Sequence, residues 1–323
     1  MLKEKNQLKL RKHKMKVLGI GNAIVDVICR VEENFINENN LTKSTMKLFF
    51  DEKEFKNLFT NLKIEKTISG GSVANSIVGL SQLQNEVGFI GKVSDDIFGA
   101  KYEEGLTEEN VKYFYTKKEE TLPTGTCLIL VTPDSERTMC TFLGIAGKIN
   151  EHDVNEEILK KTELIFLEGY LWDEGEPKKA FEKAINNSKK VAMSLSDLFC
   201  VERHKQNFLS LVKEKLDLTF ANESEIMSLI NAKNFDEVIS FAKEIKKHMV
   251  ITRGDKGAIS IVGNEIIETE ANKNLTIKDL TGAGDLFAAG YLHGFINNFS
   301  TRDCLEQGTK LSSKVIQQIG ARL

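Results

Sequence analysis

The sequence predicts an α/β fold, a doubly wound and mostly parallel sheet with helices on both faces, carrying a small discontinuous β lid. Two observations lead there. After Met15, short β-rich runs alternate with amphipathic helical stretches. Repeated strand–helix–strand order implies parallel pairing, because the crossover helices must cover both faces of the sheet. Residues 124–143 break the pattern, with two strand-like runs around Pro133-Asp134-Ser135 that read as a hairpin.

Taken in order, Val17 to Val27 reads as a buried strand leading into a Gly-Asn turn. Leu164 to Glu168, Val191 to Leu195, Leu216 to Ala221 and Met249 to Thr252 are further short apolar strands. Helices are expected over 176–187, 201–214, 223–231 and 235–248. In the last, Phe235, Val238, Ile239, Ala242 and Ile245 recur at helical spacing and form one core-facing stripe. The lid is expected to combine residues 27–50 and 112–143, with Leu48 to Phe50 and the end of the first strand pairing with the hairpin. Only three Pro occur among 323 residues, and no Pro- or Ser-rich linker divides the chain, so residues 16–323 are expected to form one domain.

Composition narrows the function classes. With 41% hydrophobic residues the chain is too apolar for disorder, and 44 Lys+Arg against 47 Asp+Glu leave a net charge of -3 that calls for neither nucleic acid nor an anionic membrane. The five Cys contain no CxxC and the five His no HExxH, which argues against a disulfide framework or structural zinc and favours a reducing compartment. No apolar run approaches the roughly 20 residues that cross a bilayer. A soluble cytoplasmic protein is expected, monomeric or homodimeric, with a small-molecule partner. Residues 1–15 are a basic N-terminal extension that reads as a frayed, disordered start rather than a nucleic-acid-binding arm, and no apolar h-region makes it a secretory signal.

The strongest chemical signal is Asp279-Leu280-Thr281-Gly282-Ala283-Gly284-Asp285, which opens an apolar helix running to about Asn297. Gly282, Ala283 and Gly284 offer successive backbone N–H groups at a helix N-terminus, where the dipole favours an anion. Asp285 would repel a resting phosphate. A carboxylate beside an anion hole suits a base that takes a proton from a hydroxyl attacking a phosphoryl group. Its helix-terminal position should keep it ionised and only modestly basic. Gly290 and Gly294 read as packing glycines on the same helix. The usual phosphate loops are not written here. GxGxxG fails at Ile24 and Phe287, and the Walker A pattern fails at Phe142 and Ile149.

Weaker signals accompany it. Asn222-Glu223-Ser224-Glu225 follows a strand, where Asn222 and Glu225 suit either a helix cap or hydrated Mg2+ and phosphate oxygens. Thr252, Gly254 and Gly257 mark a turn that permits close backbone approach to a ligand, or a plain left-handed turn. Upstream, Asn22 and Asp26 end the first strand, while Gly70, Gly71 and Asn75 belong to a Gly-rich entry into a helix. Amides and carboxylates at such places suit vicinal hydroxyls.

GNAIVD, GGSVAN, IGKVSDDIFG, NESE, TRGDKG and DLTGAGD occur in the order and spacing of the ribokinase-like (phosphofructokinase-B-type) carbohydrate kinases, which the chain resembles over about residues 16–322. Lys43 to Met46, Glu168 to Leu171 and Ser196 to Cys200 are most similar to bacterial adenosine kinases. The resemblance implies transfer of the ATP γ-phosphoryl group to a sugar hydroxymethyl. Asp285 would be the base, Gly282, Ala283 and Gly284 the anion hole, and Asn222 and Glu225 the Mg-phosphate motif, with Glu225 reaching Mg2+ through water. Thr252, Gly254 and Gly257 match its nucleotide-binding loop. Asn22, Asp26, Gly70, Gly71 and Asn75 match positions that hold sugar hydroxyls, and Asp279 and Thr281 match part of a K+ site. Leu280 stands where the family usually has Thr, so altered cation dependence is expected. Met46, Leu48, Leu130 and Phe142 would clasp a flat base or pack in the core. Arg137, on the hairpin, is expected as a solvated strand residue, with a phosphate contact on lid closure as the alternative. The expected function is phosphorylation of the 5′-hydroxyl of adenosine. A free-sugar kinase and a non-catalytic nucleoside sensor are the alternatives, and an intact Asp285 speaks against the sensor.

Overall fold

Val17–Ile20 (β1) is fully buried and sits deep inside a nine-stranded sheet, flanked by Val87–Ile90 (β5) and Leu164–Glu168 (β9), both parallel to it. The computed structural model describes residues 15–60, 62–134, 136–172 and 176–323; the basic segment lies, up to residue 14, outside the described residues. Beyond β9 the sheet continues in parallel through Val191–Ser194 (β10), Leu218–Asn222 (β11) and His248–Thr252 (β12). It ends in an antiparallel pair, Ala258–Val262 (β13) and Glu265–Thr269 (β14), while Lys112–Tyr113 (β6) closes the opposite edge beside β5.

Side-chain alternation explains why helices cover both faces. Val17, Phe89, Leu164 and Phe166 enter one buried cluster, together with Val73 and Ile77 of the helix Ser72–Gln82. Leu18, Ile20, Ile90, Ile165 and Leu167 enter the other, with Phe181, Val201, Phe208 and Val238 from helices across the sheet. A strand that is apolar on both faces can persist only between two helical layers. The apolar helix Ala283–Ile296 is buried on the first face. Gly79 approaches it there, since a Cβ would lie 2.9 Å from Ala289 Cβ, and Gly290 and Gly294 pack against the helix Thr301–Val315 as expected.

A second sheet of five strands runs in the order Met46–Phe49 (β3), Arg137–Phe142 (β8), Gly125–Val131 (β7), Ile24–Arg30 (β2) and Ile64–Gly70 (β4). The doubly wound architecture with a second sheet is the one the sequence predicts, but several boundaries differ. Val17 to Val27 is not one strand. It splits at Gly21-Asn22-Ala23 into β1 of the large sheet and β2 of the small one, because Asn22 directs its N–H to the Glu168 carboxylate instead of a neighbouring strand. β4 also belongs to the small sheet, although its sequence (IEKTISG) has no apolar alternation to announce it, and residues 112–113 pair in the large one.

The helix expected over 201–214 begins at Leu198, since Asp197 caps Phe199 N–H at 2.7 Å, and it closes in a π turn at Leu211–Lys215. The helix expected over 235–248 stops at Ile245, where Lys246 takes a left-handed φ of 55°. Among the described residues no helix is long and apolar enough to cross a membrane.

Candidate active site

The carboxyl ends of β1, β9, β10, β11 and β12 open onto a cavity of about 820 Å3, which the small sheet roofs with Met46, Leu48, Cys127 and Met139. Open α/β sheets bind ligands at this edge, where strand order reverses on either side of one strand. Here that strand is β1, and Asn22 lies just beyond it.

Asn22 is held by a carboxylate that the sequence reading left without a role. Its N–H and its Nδ2 both donate to Glu168 Oε1, at 2.9 and 3.0 Å, while Glu168 Oε2 accepts Val73 N–H at 3.0 Å. Glu168 thereby also satisfies one of the orphan donors at the start of the helix Ser72–Gln82. Burial pushes its carboxyl up to about 7, against the lowering effect of these hydrogen bonds. With the amide so fixed, Asn22 Oδ1 is buried and has no partner among the described residues. The available signal was an acid ending an otherwise apolar strand, LIFLE.

Asp26, on β2, presents a second open acceptor. Among the described residues its carboxylate accepts no hydrogen bond, and burial raises it to about 7 against the opposing charge of Arg322. Gly70 makes room for it, because a Cβ there would lie 2.4 Å from Asp26 Oδ2. Gly71 caps the next helix at φ 98°, and its missing side chain lets Asn22 O approach to 2.2 Å from where a Cβ would sit.

Two helix N-termini converge on Asp285. Ser72 Oγ donates to Oδ1 at 2.6 Å, Asn75 Nδ2 to Oδ2 at 2.9 Å, and Ser76 Oγ to the Asp285 carbonyl at 2.8 Å. Burial raises the Asp285 carboxyl to about 6, opposed by those hydrogen bonds and by Arg322. It is therefore a stronger base than its helix-terminal position alone suggests, yet it remains ionised at neutral pH. Gly282 adopts a left-handed φ of 79°, and the first intrahelical bond runs from Leu286 N–H to Gly282 O at 2.8 Å. The N–H groups of Gly284 and Asp285 thus precede the ladder, whereas Ala283 N–H donates to Leu280 O at 3.2 Å. The expected anion hole consequently does not offer three free donors in a row. A Cβ on Gly284 would meet nothing within 4 Å, so that glycine faces open cavity.

The remaining expected residues divide. Asn222 and Glu225 form a capping box: Asn222 Oδ1 accepts Glu225 N–H at 2.8 Å, and Glu225 Oε2 accepts Asn222 N–H at 2.9 Å. Asn222 Nδ2 also donates to Glu225 Oε1 at 2.6 Å, and burial raises Glu225 to about 7. Both residues line the cavity, as does Thr252, which pairs in register with Asn222. Gly254 and Gly257 lie outside its lining, in a turn whose φ values of 61° and 89° require glycine. Leu130 and Phe142 are core residues rather than cavity walls, because strand alternation turns them to the opposite face, where Phe142 stacks on Phe55 at 5.5 Å.

Arg137 is not solvated. Its Nη1 donates to Asp279 Oδ2 at 2.5 Å, and the same oxygen accepts Gly320 N–H at 2.8 Å. Asp279 Oδ1 takes Thr281 N–H and Oγ1 at 3.1 and 2.7 Å. With four donors on it, the carboxylate has no lone-pair site left for a monovalent cation, so K+ does not fit here through Asp279. Leu280 is exposed and lines the cavity mouth.

The sequence pattern of the pfkB family carbohydrate kinases matches residues 16–323. The chain belongs to that family. A solved adenosine kinase from Sinorhizobium meliloti is similar at 33% identity and a TM-score of 0.87, each chain being covered over 96%. Adenosine kinase 2 of Arabidopsis thaliana is 25% identical over 94% of both chains. A Clostridium botulinum 5-dehydro-2-deoxygluconokinase is 26% identical over 79% of this chain and 80% of its own. As a pfkB kinase the protein is an ATP-dependent enzyme that phosphorylates an alcohol group. The family match also covers Arg322, which donates to Asn75 Oδ1 and which sequence reasoning missed because it lies outside any motif.

Proposed function

We propose that this kinase phosphorylates the 5′-hydroxyl of adenosine or a close nucleoside, giving AMP and ADP. The observation that carries the reading is the pairing of Asn22 Oδ1 and the Asp26 carboxylate, two acceptors without donors, beneath an apolar roof of Met46, Leu48, Cys127 and Met139. Vicinal sugar hydroxyls supply the donors, and a flat base occupies the apolar side. The similarity to adenosine kinases, including the 33% identical structure, supports this substrate class.

In this reading the ribose hydroxyls donate to Asn22 and Asp26, and Gly70 and Gly71 let the chain pass close by. The 5′-hydroxyl then faces Asp285, which Ser72 and Asn75 hold in place. Asp285 takes or orients the hydroxyl proton during in-line attack on the γ-phosphoryl group. The N–H groups at Gly282 and Gly284 stabilise the charge developing on the transferred phosphate, with the helix dipole behind them. The open space beside Gly284 is where that phosphate approaches. The ATP phosphates extend toward Asn222 and Thr252. Because Asn222 donates to both oxygens of Glu225, Mg2+ would be held by Glu225 through water, neutralising phosphate charge. The small sheet acts as a lid that excludes water from the reacting phosphoryl group.

A free-sugar substrate is the second reading, favoured by the similarity to a 5-dehydro-2-deoxygluconokinase. It would leave the apolar roof facing water. A coupled ADP-release assay across adenosine, inosine, cytidine, ribose and fructose separates the two. Turnover on adenosine is expected, and turnover confined to free sugars overturns the proposal.

A further inference from the structure

The last four residues return to the site. Gly320 N–H donates to Asp279 at 2.8 Å, and Ala321 fills the space beside Gly282, where a Cβ would lie 2.6 Å from its Cα. Arg322 Nε donates to Asn75 Oδ1 at 3.0 Å, and the Leu323 carbonyl accepts Gln82 Nε2 at 3.2 Å. The tail therefore touches the loop before the anion hole, the anion hole itself and the helix that carries Ser72 and Asn75. Arg322 Nη2 is buried and unpartnered among the described residues. Its guanidinium also lines a second cavity, of about 690 Å3, together with Asp26 and Asn75.

An amide has two chemically different ends of nearly the same shape, and its neighbours decide which way it points. Arg322 has only donors. Its bond to Asn75 forces Oδ1 toward the guanidinium and Nδ2 toward Asp285, which needs a donor there. Were Asn75 to turn over, its oxygen would face the Asp285 carboxylate. The same cation lies among carboxylates that repel each other: Asp285 raises Asp26 and Glu168, and Arg322 lowers Asp26 and Asp285.

We propose that Arg322 is a positioning residue of the phosphoryl-transfer site, locking the Asn75 amide so that it donates to Asp285 and offsetting the repulsion between Asp26 and Asp285. It acts through these groups and is not itself placed on substrate. The inference rests on the assignment of Asp285 as base. The titratable groups facing this cluster are Glu168 from β9, Tyr170 just after it, Tyr102 from the helix Ile97–Glu108, Glu109 after that helix, and Cys127 from β7.

The test compares Arg322→Gln and Arg322→Lys with wild type. Arg322→Gln is expected to lower kcat about tenfold or more, and to move the acid limb of kcat/KM to higher pH by roughly one unit, as loss of a nearby opposite charge requires. Arg322→Lys keeps the charge without the fork and is expected to restore the limb but only part of kcat. Carbon-13 titration of the aspartate carboxyls in the same variants reads the charge effect without any substrate. In Arg322→Gln the carboxyls of Asp26 and Asp285 should titrate at higher pH. If wild type turns over no nucleoside or sugar, the proposed function fails while the titration still decides this inference. Unchanged carboxyl titration in a folded Arg322→Gln protein, or a kcat that falls only in step with thermal stability, overturns it and leaves Arg322 as a structural tie.

Discussion

Gly282 and Gly284 flank one residue, yet the structure assigns them opposite reasons for being glycine. Gly282 sits at φ 79°, and a Cβ there would lie 2.6 Å from Ala321 Cα and 2.7 Å from Ala321 O. Alanine at 282 must bear a left-handed conformation, at about 1–2 kcal/mol, and also displace backbone, so a loss of about 2 kcal/mol or more is expected. Gly284 lies in the first turn of a helix, and a Cβ would meet nothing within 4 Å. Alanine at 284 should therefore stabilise the fold by about 0.5 kcal/mol, because the unfolded chain loses freedom and nothing in the native state is displaced. The same methyl group points into the space proposed for the transferred phosphate. Propping that phosphate away from even one backbone donor should reduce kcat by about 10²-fold, equivalent to roughly 2.7 kcal/mol of transition-state stabilisation. Thermal unfolding and coupled ADP release on the two variants check both halves. Gly284→Ala should melt at or slightly above wild type and be nearly inactive, whereas Gly282→Ala should melt lower. Full turnover by Gly284→Ala would refute the placement of the phosphate, and a marked fall in its melting temperature would refute the claim that function alone keeps glycine there.

Asp285→Asn should keep its contacts, since its oxygen can accept from Asn75 Nδ2 and its amide can donate to Ser72 Oγ, but kcat should fall by about 10²-fold or more. Near wild-type rates in that variant would remove Asp285 from the base role. In wild type the base works only when ionised, so kcat/KM should fall as the pH drops through about 6, the limb being shared with Asp26 and Glu168, which burial raises to about 7. A rate that stays flat down to pH 4.5 would contradict this. Because Arg137 and three other donors saturate Asp279, wild-type turnover should be the same in K+ and in tetramethylammonium, and Arg137→Gln, which removes the guanidinium from Asp279 Oδ2 and leaves that oxygen only the Gly320 N–H, should introduce K+ activation. Strong K+ dependence of the wild type, measured as initial rate against K+ at constant ionic strength, would show that the cation sits elsewhere or displaces Arg137.

What the sequence disclosed follows the physics of the signals. Continuous apolar runs such as Leu164–Glu168 and the TGAGD junction depend on local chemistry, namely burial on both faces and a helix N-terminus that local residues create. They were legible for that reason. β4 was not, because Ile64–Gly70 is recruited by pairing with β2 and is exposed over its first half, so its own pattern carries no period. The partners of Glu168, Arg137 and Arg322 were illegible for a related reason. Each of these charges acts on a partner more than 90 residues away, Asn22, Asp279 and Asn75 respectively, and no spacing rule links a lone charge to a distant amide or carboxylate. The three share one consequence. Glu168 fixes Asn22 so that its oxygen stays open, Arg322 fixes Asn75 so that its nitrogen faces Asp285, and Arg137 occupies Asp279 beside the anion hole. Without these distant charges the groups named by the motifs would each lose a contact that orients them. The motif states which atoms are present, and the ion pairs and buried carboxylate decide which way those atoms point. A substitution at any of the three should therefore disturb the reaction more than its exposure or its distance from the motifs suggests.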